Sequence, residues 1–243
     1  MKKLLLVAAL AISVVGLAYA DLEFTPAKVP ANLQESPGGG AAGQCLVQYY
    51  NACSGWIYVW TGWLAGDMVG TIYDLPADCD PAAFEPGGCT LYEARFVIWT
   101  VLPGWGYTVD FEVYDVDAQD CLVTPALAGM YDVDFPSGPS WWILGNFGPV
   151  PDKHAFTMAW DTGIYPTIAT DNPPSNYQAP YYCAGYVVDG HSYVFAASGT
   201  PYCPPVFMND GTYDVNLYAR NTYDCVVVAT EEESWGGVKN LFR

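Results

Sequence analysis

The hydrophobic pattern of this chain is dominated by alternation. From residue 56 onward, short runs rich in β-branched and aromatic residues alternate with polar positions and are cut by Gly, Pro, Asp and Asn. A period of two places successive side chains on opposite faces of an extended strand. Strands are predicted at WIYVW (56–60), YEARFVIWT (92–100), YTVDFEVY (107–114), AFTMAW (155–160), HSYVFAA (191–197), YDVNLYA (213–219) and CVVVA (225–229). No stretch before the last dozen residues has the spacing of an amphipathic helix. Many short antiparallel strands, each with an apolar face, must bury that face against a second sheet. The pattern therefore predicts an all-β fold, a jelly-roll-like antiparallel β-sandwich over residues 45–230.

Two N-terminal stretches depart from this pattern. MKKLLLVAALAISVVGLAYA (1–20) has two lysines, an apolar run and small residues at Ala18 and Ala20, the layout of a secretory signal peptide cleaved before Asp21. The apolar run is short for a membrane-spanning helix, which needs roughly 20 residues, so no span is expected after cleavage. DLEFTPAKVPANLQESPGGGAAGQ (21–44) is rich in Pro, Gly and Ala and reads as a flexible leader.

A shift of 104 residues lays TVDFEVYDVDAQDCLV (108–123) on TYDVNLYARNTYDCVV (212–227), matching Asp110 to Asp214, Tyr114 to Tyr218 and Cys121 to Cys225. The same shift lays Cys79 on Cys183. Between these windows the match dissolves, which leaves two readings open: two related halves, or two strand ends with similar turns.

Charge narrows the partners. Loss of Lys2 and Lys3 with the signal leaves 6 basic residues against 26 acidic, a formal charge of −20. Such a surface repels nucleic acid and anionic lipid. Disorder does not account for the acidity, because 52% of the residues are hydrophobic and only 14% charged. Eight cysteines, Cys45, Cys53, Cys79, Cys89, Cys121, Cys183, Cys203 and Cys225, form an even set in an exported chain and are read as disulfides of open connectivity. Zinc is disfavoured by the lack of any CxxC pair and by only two histidines. An exported, extracellular, cell-surface or periplasmic location follows.

Catalytic parts are scarce. There is no GxSxG elbow, the cysteines are taken up in disulfides, and His154 and His191 read as ordinary strand or surface histidines. Glu93 and Glu112 could form a paired-carboxylate site, with Arg95 beside Glu93, although a solvated strand face explains them as well. Asp115, Asp117 and Asp120 in YDVDAQD offer hard oxygen ligands on a turn, which makes calcium the candidate metal, but solubilising turns explain them equally. Aromatics give the strongest binding candidate. In GWIYVW, Trp56, Tyr58 and Trp60 share one face and Ile57 with Val59 the other. Were the aliphatic side inward, three rings would stand outside, joined by Trp99, Tyr114 and Tyr218 and by Glu93, Arg95 and Glu112. Flat rings flanked by acids suit the C–H faces and hydroxyls of sugars, so the expected ligand is a polysaccharide or another cell-surface component. The alternatives are a structural surface protein with those rings in its core and, more remotely, a secreted hydrolase.

The chain closes on EEESWGGVKNLFR. Ser234 is a good N-cap, Trp235, Val238 and Phe242 fall on one helical face, and Lys239 and Arg243 sit where the helix dipole favours cations. Gly236 and Gly237 oppose helicity. Ser234, Trp235, Gly236, Val238, Lys239, Leu241, Phe242 and Arg243 together make SWGGVKNLFR resemble the short C-terminal tails of exported bacterial proteins, a Trp-Gly pair followed by a lysine and an aromatic-basic end. The resemblance covers ten residues and implies a sorting or surface-retention role for 231–243.

Overall fold

The structure, a computed structural model, describes residues 23–29, 43–50, 55–79, 84–100, 106–107, 109–128, 133–134, 138–161, 167–172, 190–197, 199–208 and 215–227. The signal segment, Cys53, Cys183 and the 231–243 tail lie outside them.

Strands account for nearly every described element: β1 (Glu23–Lys28), β2 (Gln44–Gln48), β3 (Trp56–Thr61), β4 (Met68–Asp74), β5 (Phe84–Thr100), β6 (Gly106–Tyr107), β7 (Val109–Val116), β8 (Leu122–Ala128), β9 (Val133–Asp134), β10 (Gly138–Pro149), β11 (Lys153–Trp160), β12 (Thr167–Thr170), β13 (Ser192–Ala197), β14 (Thr200–Phe207) and β15 (Ala219–Val227). A single helical turn, Leu75–Asp78, follows β4. A seven-stranded sheet runs β1-β3-β12-β5-β15-β2 with β10 on β5, and a six-stranded sheet runs β14-β13-β4-β11-β7-β8. All their pairings are antiparallel. From β3 onward the chain passes repeatedly from one sheet to the other, so the fold is the disulfide-bonded, all-β sandwich that the alternation predicts.

The sheets meet over one large core. Trp60, Phe96 and Ile98 come from the seven-stranded sheet and Phe111, Val113, Phe156, Met158 and Trp160 from the other. Phe96 lies 5.5 Å from Phe156 and 5.7 Å from Phe111, ring centre to ring centre. Along β5 the inward positions change from Cys89 and Leu91 to Ala94, Phe96 and Ile98. Register shifts against both β10 and β15 between Leu91 and Glu93 account for the change, as a bulge moves the side-chain parity by one.

Three disulfides are formed among the described residues: Cys45–Cys79, Cys89–Cys225 and Cys121–Cys203. The last has the largest architectural effect. Cys121 begins the β8 edge and Cys203 lies in β14, the opposite edge of the six-stranded sheet, yet their Cα atoms are 5.1 Å apart. Five strand spacings in a flat sheet would put these edges about 24 Å apart. The sheet must therefore curl, or its edge fold across, so that the face turned away from the main core is partly enclosed. A second cluster confirms this: Ile72, Tyr114, Val116, Ala155 and Phe195 are buried on that face.

Three readings of the sequence need correction here. The 21–44 leader contains β1, which pairs with β3 from Glu23↔Thr61 to Lys28↔Trp56, and ends within β2. Pro26 obscured it; an edge strand tolerates a proline that an inner one would not. The 213–219 and 225–229 runs are likewise not two strands. Leu217 makes only a bridge to Thr170, and one strand then runs from Ala219 to Val227 through the polar segment that reads as a turn. The 104-residue echo does not extend to topology, for Cys121 borders the six-stranded sheet whereas Cys225 lies inside β15 of the other.

Candidate functional site

The aromatic alternation of β3 is present, but its polarity is opposite to an exposed platform. Tyr58 is 0% and Trp60 1% exposed. Trp60 donates its indole N–H to Thr170 Oγ1 at 2.8 Å and neighbours Trp63, which stacks on Trp160 at 4.3 Å. Ile57 and Val59 face outward under a smaller cluster with Tyr50, Val97, Ala169 and Tyr218. Alternation fixes which residues share a face and leaves open which face is inward; here the inter-sheet space takes the larger rings. Of the three, Trp56 is half-buried, with Lys28 Nζ 5.9 Å from its ring centre. Tyr218, 0% exposed and stacked on Tyr50 at 4.3 Å, is also core. The platform of Trp56, Tyr58, Trp60 and Tyr218 is thus replaced by packing. Of Trp99 only the backbone is described, paired with Pro139 and Thr167.

The acids separate as well. Glu93 and Arg95 occupy the outer face of β5, joined by a 2.5 Å ion pair, with Arg220 opposite Arg95 and lying 5.9 Å from the Trp141 ring centre. Glu112 and Tyr114 lie on β7, on the outward side of the other sheet, because Phe111 and Val113 point into the main core. Glu93 and Glu112 therefore stand on opposite outer faces of the sandwich. The body between them excludes a shared glycosidic site, which needs carboxylates about 5 to 9 Å apart.

On the curled face, by contrast, residues do converge. Tyr193 of β13 pairs with Gly70 of β4, Gly70 with Thr157 of β11, and Thr157 with Glu112 of β7. This row spans three strand spacings, about 14 Å along the sheet. Its centre is low. A Cβ on Gly70 would meet the Phe156 carbonyl oxygen at 2.4 Å, so glycine is required for β4 and β11 to approach there. Thr157 is fully buried, with its hydroxyl on the Glu112 carbonyl oxygen at 3.2 Å. At one end Glu112 accepts a hydrogen bond from the Tyr114 hydroxyl, and Asp110 lies on the same face two residues away. Burial and the Glu112 hydrogen bond hold the Tyr114 hydroxyl protonated far above its ordinary range. At the other end the Tyr193 ring packs on Phe195 and Phe207, its hydroxyl bound to the Gly190 carbonyl. Asp110, Glu112 and Tyr193 are each half-buried, while Ile72, Ala155, Thr157 and Phe195 are fully covered. The row thus carries half-buried acids at one end and a half-buried aromatic ring at the other, with a closed, packed centre between them.

The aspartate turn that follows β7 has a structural job. Asp117 Oδ1 accepts from the Gln119 and Cys121 amides at 2.8 and 3.0 Å, which closes the turn that delivers Cys121 to its disulfide. Asp120 takes a left-handed backbone with φ of 64°, a conformation aspartate tolerates, and its carboxylate pairs with Lys153 at 2.7 Å. Asp115 stays on β7 opposite His154. No group of three or more His, Cys, Asp and Glu side chains is gathered for a metal among the described residues.

A buried polar cluster lies at the end of the main core. Tyr49 donates to Asp78 Oδ2, which also accepts the Asp74 amide at 3.0 Å, and His191 stacks on Tyr49 at 3.4 Å. Behind them Tyr73 packs against His154, whose Nε2 is 3.0 Å from the Tyr223 hydroxyl and whose Nδ1 is 2.9 Å from the Pro151 carbonyl. Asn221 donates to the same Tyr223 oxygen. Desolvation raises the Asp78 carboxyl and lowers His154 to about 4, so His154 is neutral in the fold. The Cys45–Cys79 bond fastens this corner, one residue after Asp78 and four before Tyr49.

No protein-family model matches this chain, and no curated protein matches it. Among solved structures it is similar to the crystal structure of the cysteine protease and lectin-like domains of Cwp84, a surface layer associated protein of Clostridium difficile. That likeness has 12% identity and a TM-score of 0.47 over 78% of this chain and 37% of that one. The chain thus spans well under half of the length of that structure, and a likeness this distant says nothing of activity.

Sequence reasoning finds Glu112 and Tyr114 but joins them to the wrong strands, and it passes over Tyr193, Gly70 and Tyr49. For Gly70 the signal is a glycine inside an otherwise good strand, MVGTIYD, which marks a close backbone approach. For Asp78 and His191, about a hundred residues apart in sequence, no local pattern exists.

Proposed function

We propose that this chain is an exported β-sandwich that acts at the cell surface and binds carbohydrate there through the outward face of its six-stranded sheet. One observation carries the reading: the row Tyr193–Gly70–Thr157–Glu112 puts a half-buried aromatic ring and a half-buried acid on a single face. A ring for C–H stacking and carboxylates for hydroxyls are the two contacts a pyranose needs. Export is supported by the signal-like first 20 residues and by disulfides, which persist in oxidising surroundings. The 231–243 tail belongs to this reading as an address for surface retention.

Burial of Tyr58 and Trp60 favours a second reading, a structural surface protein with no small ligand. Retention of the protein on immobilised cell-envelope polysaccharide separates the two. Tyr193→Ala should weaken retention about tenfold with the melting temperature monitored alongside. No retention of the unaltered protein by any neutral, amine-bearing or acidic glycan leaves the structural reading standing.

A further inference from the structure

We infer that the Cys121–Cys203 bridge is a redox-responsive latch: a dithiol reductant opens it at Cys203 while the other two described bridges stay closed, and its opening frees the two outer strands of the six-stranded sheet. The inference is independent of the carbohydrate reading above, because it concerns a bond and not a ligand face.

Exposure separates this bridge from the others. Cys45 and Cys79 are each 7% exposed, Cys89 3%, Cys225 9% and Cys121 6%, whereas Cys203 is open to solvent. A disulfide yields to a thiolate that reaches one of its sulfurs, and access governs which bridge is attacked first.

The backbone around the two cysteines works in the same direction. β14 pairs with β13 at Val206↔Val194 and at Pro201↔Ala196 with a register shift between, so Tyr202 to Pro205 bulge opposite Phe195. Cys203 thus lies on a stretch outside the β13 ladder. Its partner is held: Asp117 Oδ1 accepts the Cys121 amide at 3.0 Å, the Asp117 amide donates to the Cys121 carbonyl oxygen at 3.0 Å, and Leu122 pairs with Val116 straight after. The bridge joins a fixed sulfur to a movable one. Cys89 and Cys225, by contrast, face each other in the register of β5 and β15, both inside the seven-stranded sheet. A reductant reaches that pair only if the sheet parts, while β8 and β14 have one strand neighbour each and separate without it.

The exchange balances with the dithiol as co-reactant. One of its thiolates attacks Cys203 Sγ and forms a mixed disulfide there, and the Sγ–Sγ bond breaks with its electron pair leaving on Cys121 Sγ, which takes a proton from water. The second thiolate of the dithiol then attacks the sulfur of its own mixed disulfide, and Cys203 leaves as a thiolate and is protonated in turn. The dithiol ends as a disulfide and the bridge as two thiols, a transfer of two electrons. Without the bond, β8 and β14 move apart and uncover Ile72, Val116, Ala155 and Phe195, which are buried on the face they enclose.

The test uses the full oxidised chain under native conditions, titrated with dithiothreitol, quenched with iodoacetamide and read cysteine by cysteine by mass spectrometry. Cys121 and Cys203 should be alkylated at a dithiothreitol concentration about tenfold below that needed for Cys45, Cys79, Cys89 and Cys225. At that concentration hydrogen exchange should rise in β8 and β14 and stay unchanged in β4 and β11. With glutathione, a monothiol, the mixed disulfide trapped by acid quench should sit on Cys203. In the double variant Cys121→Ser, Cys203→Ser the same dithiothreitol step should add no further exchange in β8 and β14.

Alkylation of the three bridges over one concentration range, or earlier alkylation of either of the other two, overturns the latch. So does an opened Cys121–Cys203 bridge with unchanged exchange in β8 and β14, or a rise there in the double variant as well. A glutathione adduct on Cys121 in place of Cys203 overturns the site of attack.

Discussion

Trp60 hydrogen-bonds Thr170 and packs among Trp63 and core residues of both sheets, so its loss leaves a large void. Trp60→Ala should cost about 3 to 5 kcal/mol and lower the melting temperature strongly, whereas replacement of an exposed ring would leave it nearly unchanged. His154 and Asp78 give predictions of opposite sign. The folded His154 value of about 4 lies below the ordinary 6.5, so the unfolded chain binds the proton first as pH falls. Its contribution is complete above pH 6.5 and is lost as pH drops toward 4, up to about 3 kcal/mol from the size of that shift. Asp78 is shifted upward, mainly by desolvation, so its contribution is complete below the ordinary carboxylate range and declines as pH rises through its folded value. Urea midpoints from pH 4 to 8 measure both. His154→Gln should remove the loss on the acid side, and Asp78→Asn the decline on the alkaline side; an unaltered profile in either variant means that the group does not control stability.

Among the elements, β14 and β8 depend most on a covalent bond, because neither has a second neighbour in its sheet and Cys121–Cys203 ties one to the other. Cys121→Ser with Cys203→Ser should cost about 2 to 5 kcal/mol and should expose the buried cluster of Ile72, Ala155 and Phe195. Hydrogen exchange would then rise in β8 and β14 well before β4 or β11, which sit inside the sheet; uniform loss of protection would mean the bond supports the whole sandwich. Legibility in the sequence also divides by element. β3, β7, β11 and β13 alternate cleanly and are found within two residues of their observed ends. β4, with Gly70 at its centre, and β14, with three prolines, hide behind residues that usually break strands. In β15, the polar run from Arg220 to Asp224 imitates a turn because tertiary pairing with both β5 and β2 outweighs local propensity. The row from Tyr193 to Glu112 was legible only as its parts, since cross-strand register cannot be read from a single strand.

At the scale of the whole molecule, the fold class was legible because alternation, turn residues and paired cysteines agree, whereas the inward side of each sheet depends on the shape of the space between them. The tail is the other feature whose role turns on the whole molecule rather than on its own residues. Its acidic run, Glu231 to Glu233, its apolar set of Trp235, Val238 and Phe242, and its cations Lys239 and Arg243 follow β15, the last strand described, which is already paired on both sides by β5 and β2. β15 itself therefore has no open edge left to offer a segment beyond it. Truncation after Thr230 should therefore leave the melting temperature within about 2 °C of the full chain, a shift that corresponds to less than about 1 kcal/mol for a chain of this size. On the export reading proposed above, the truncated protein should nonetheless move from the cell envelope into the medium, because a short basic-aromatic end on a chain of formal charge −18 offers a contact of opposite sign to the rest of the surface. Fractionation of cells producing the full and truncated chains, paired with thermal melts of both, measures the two effects separately. Release into the medium with an unchanged melt establishes the tail as an address. A truncated chain that stays in the envelope but melts several degrees lower would show instead that Trp235 and Phe242 pack as a cover on the sandwich, since large rings lost from a buried site cost several kcal/mol.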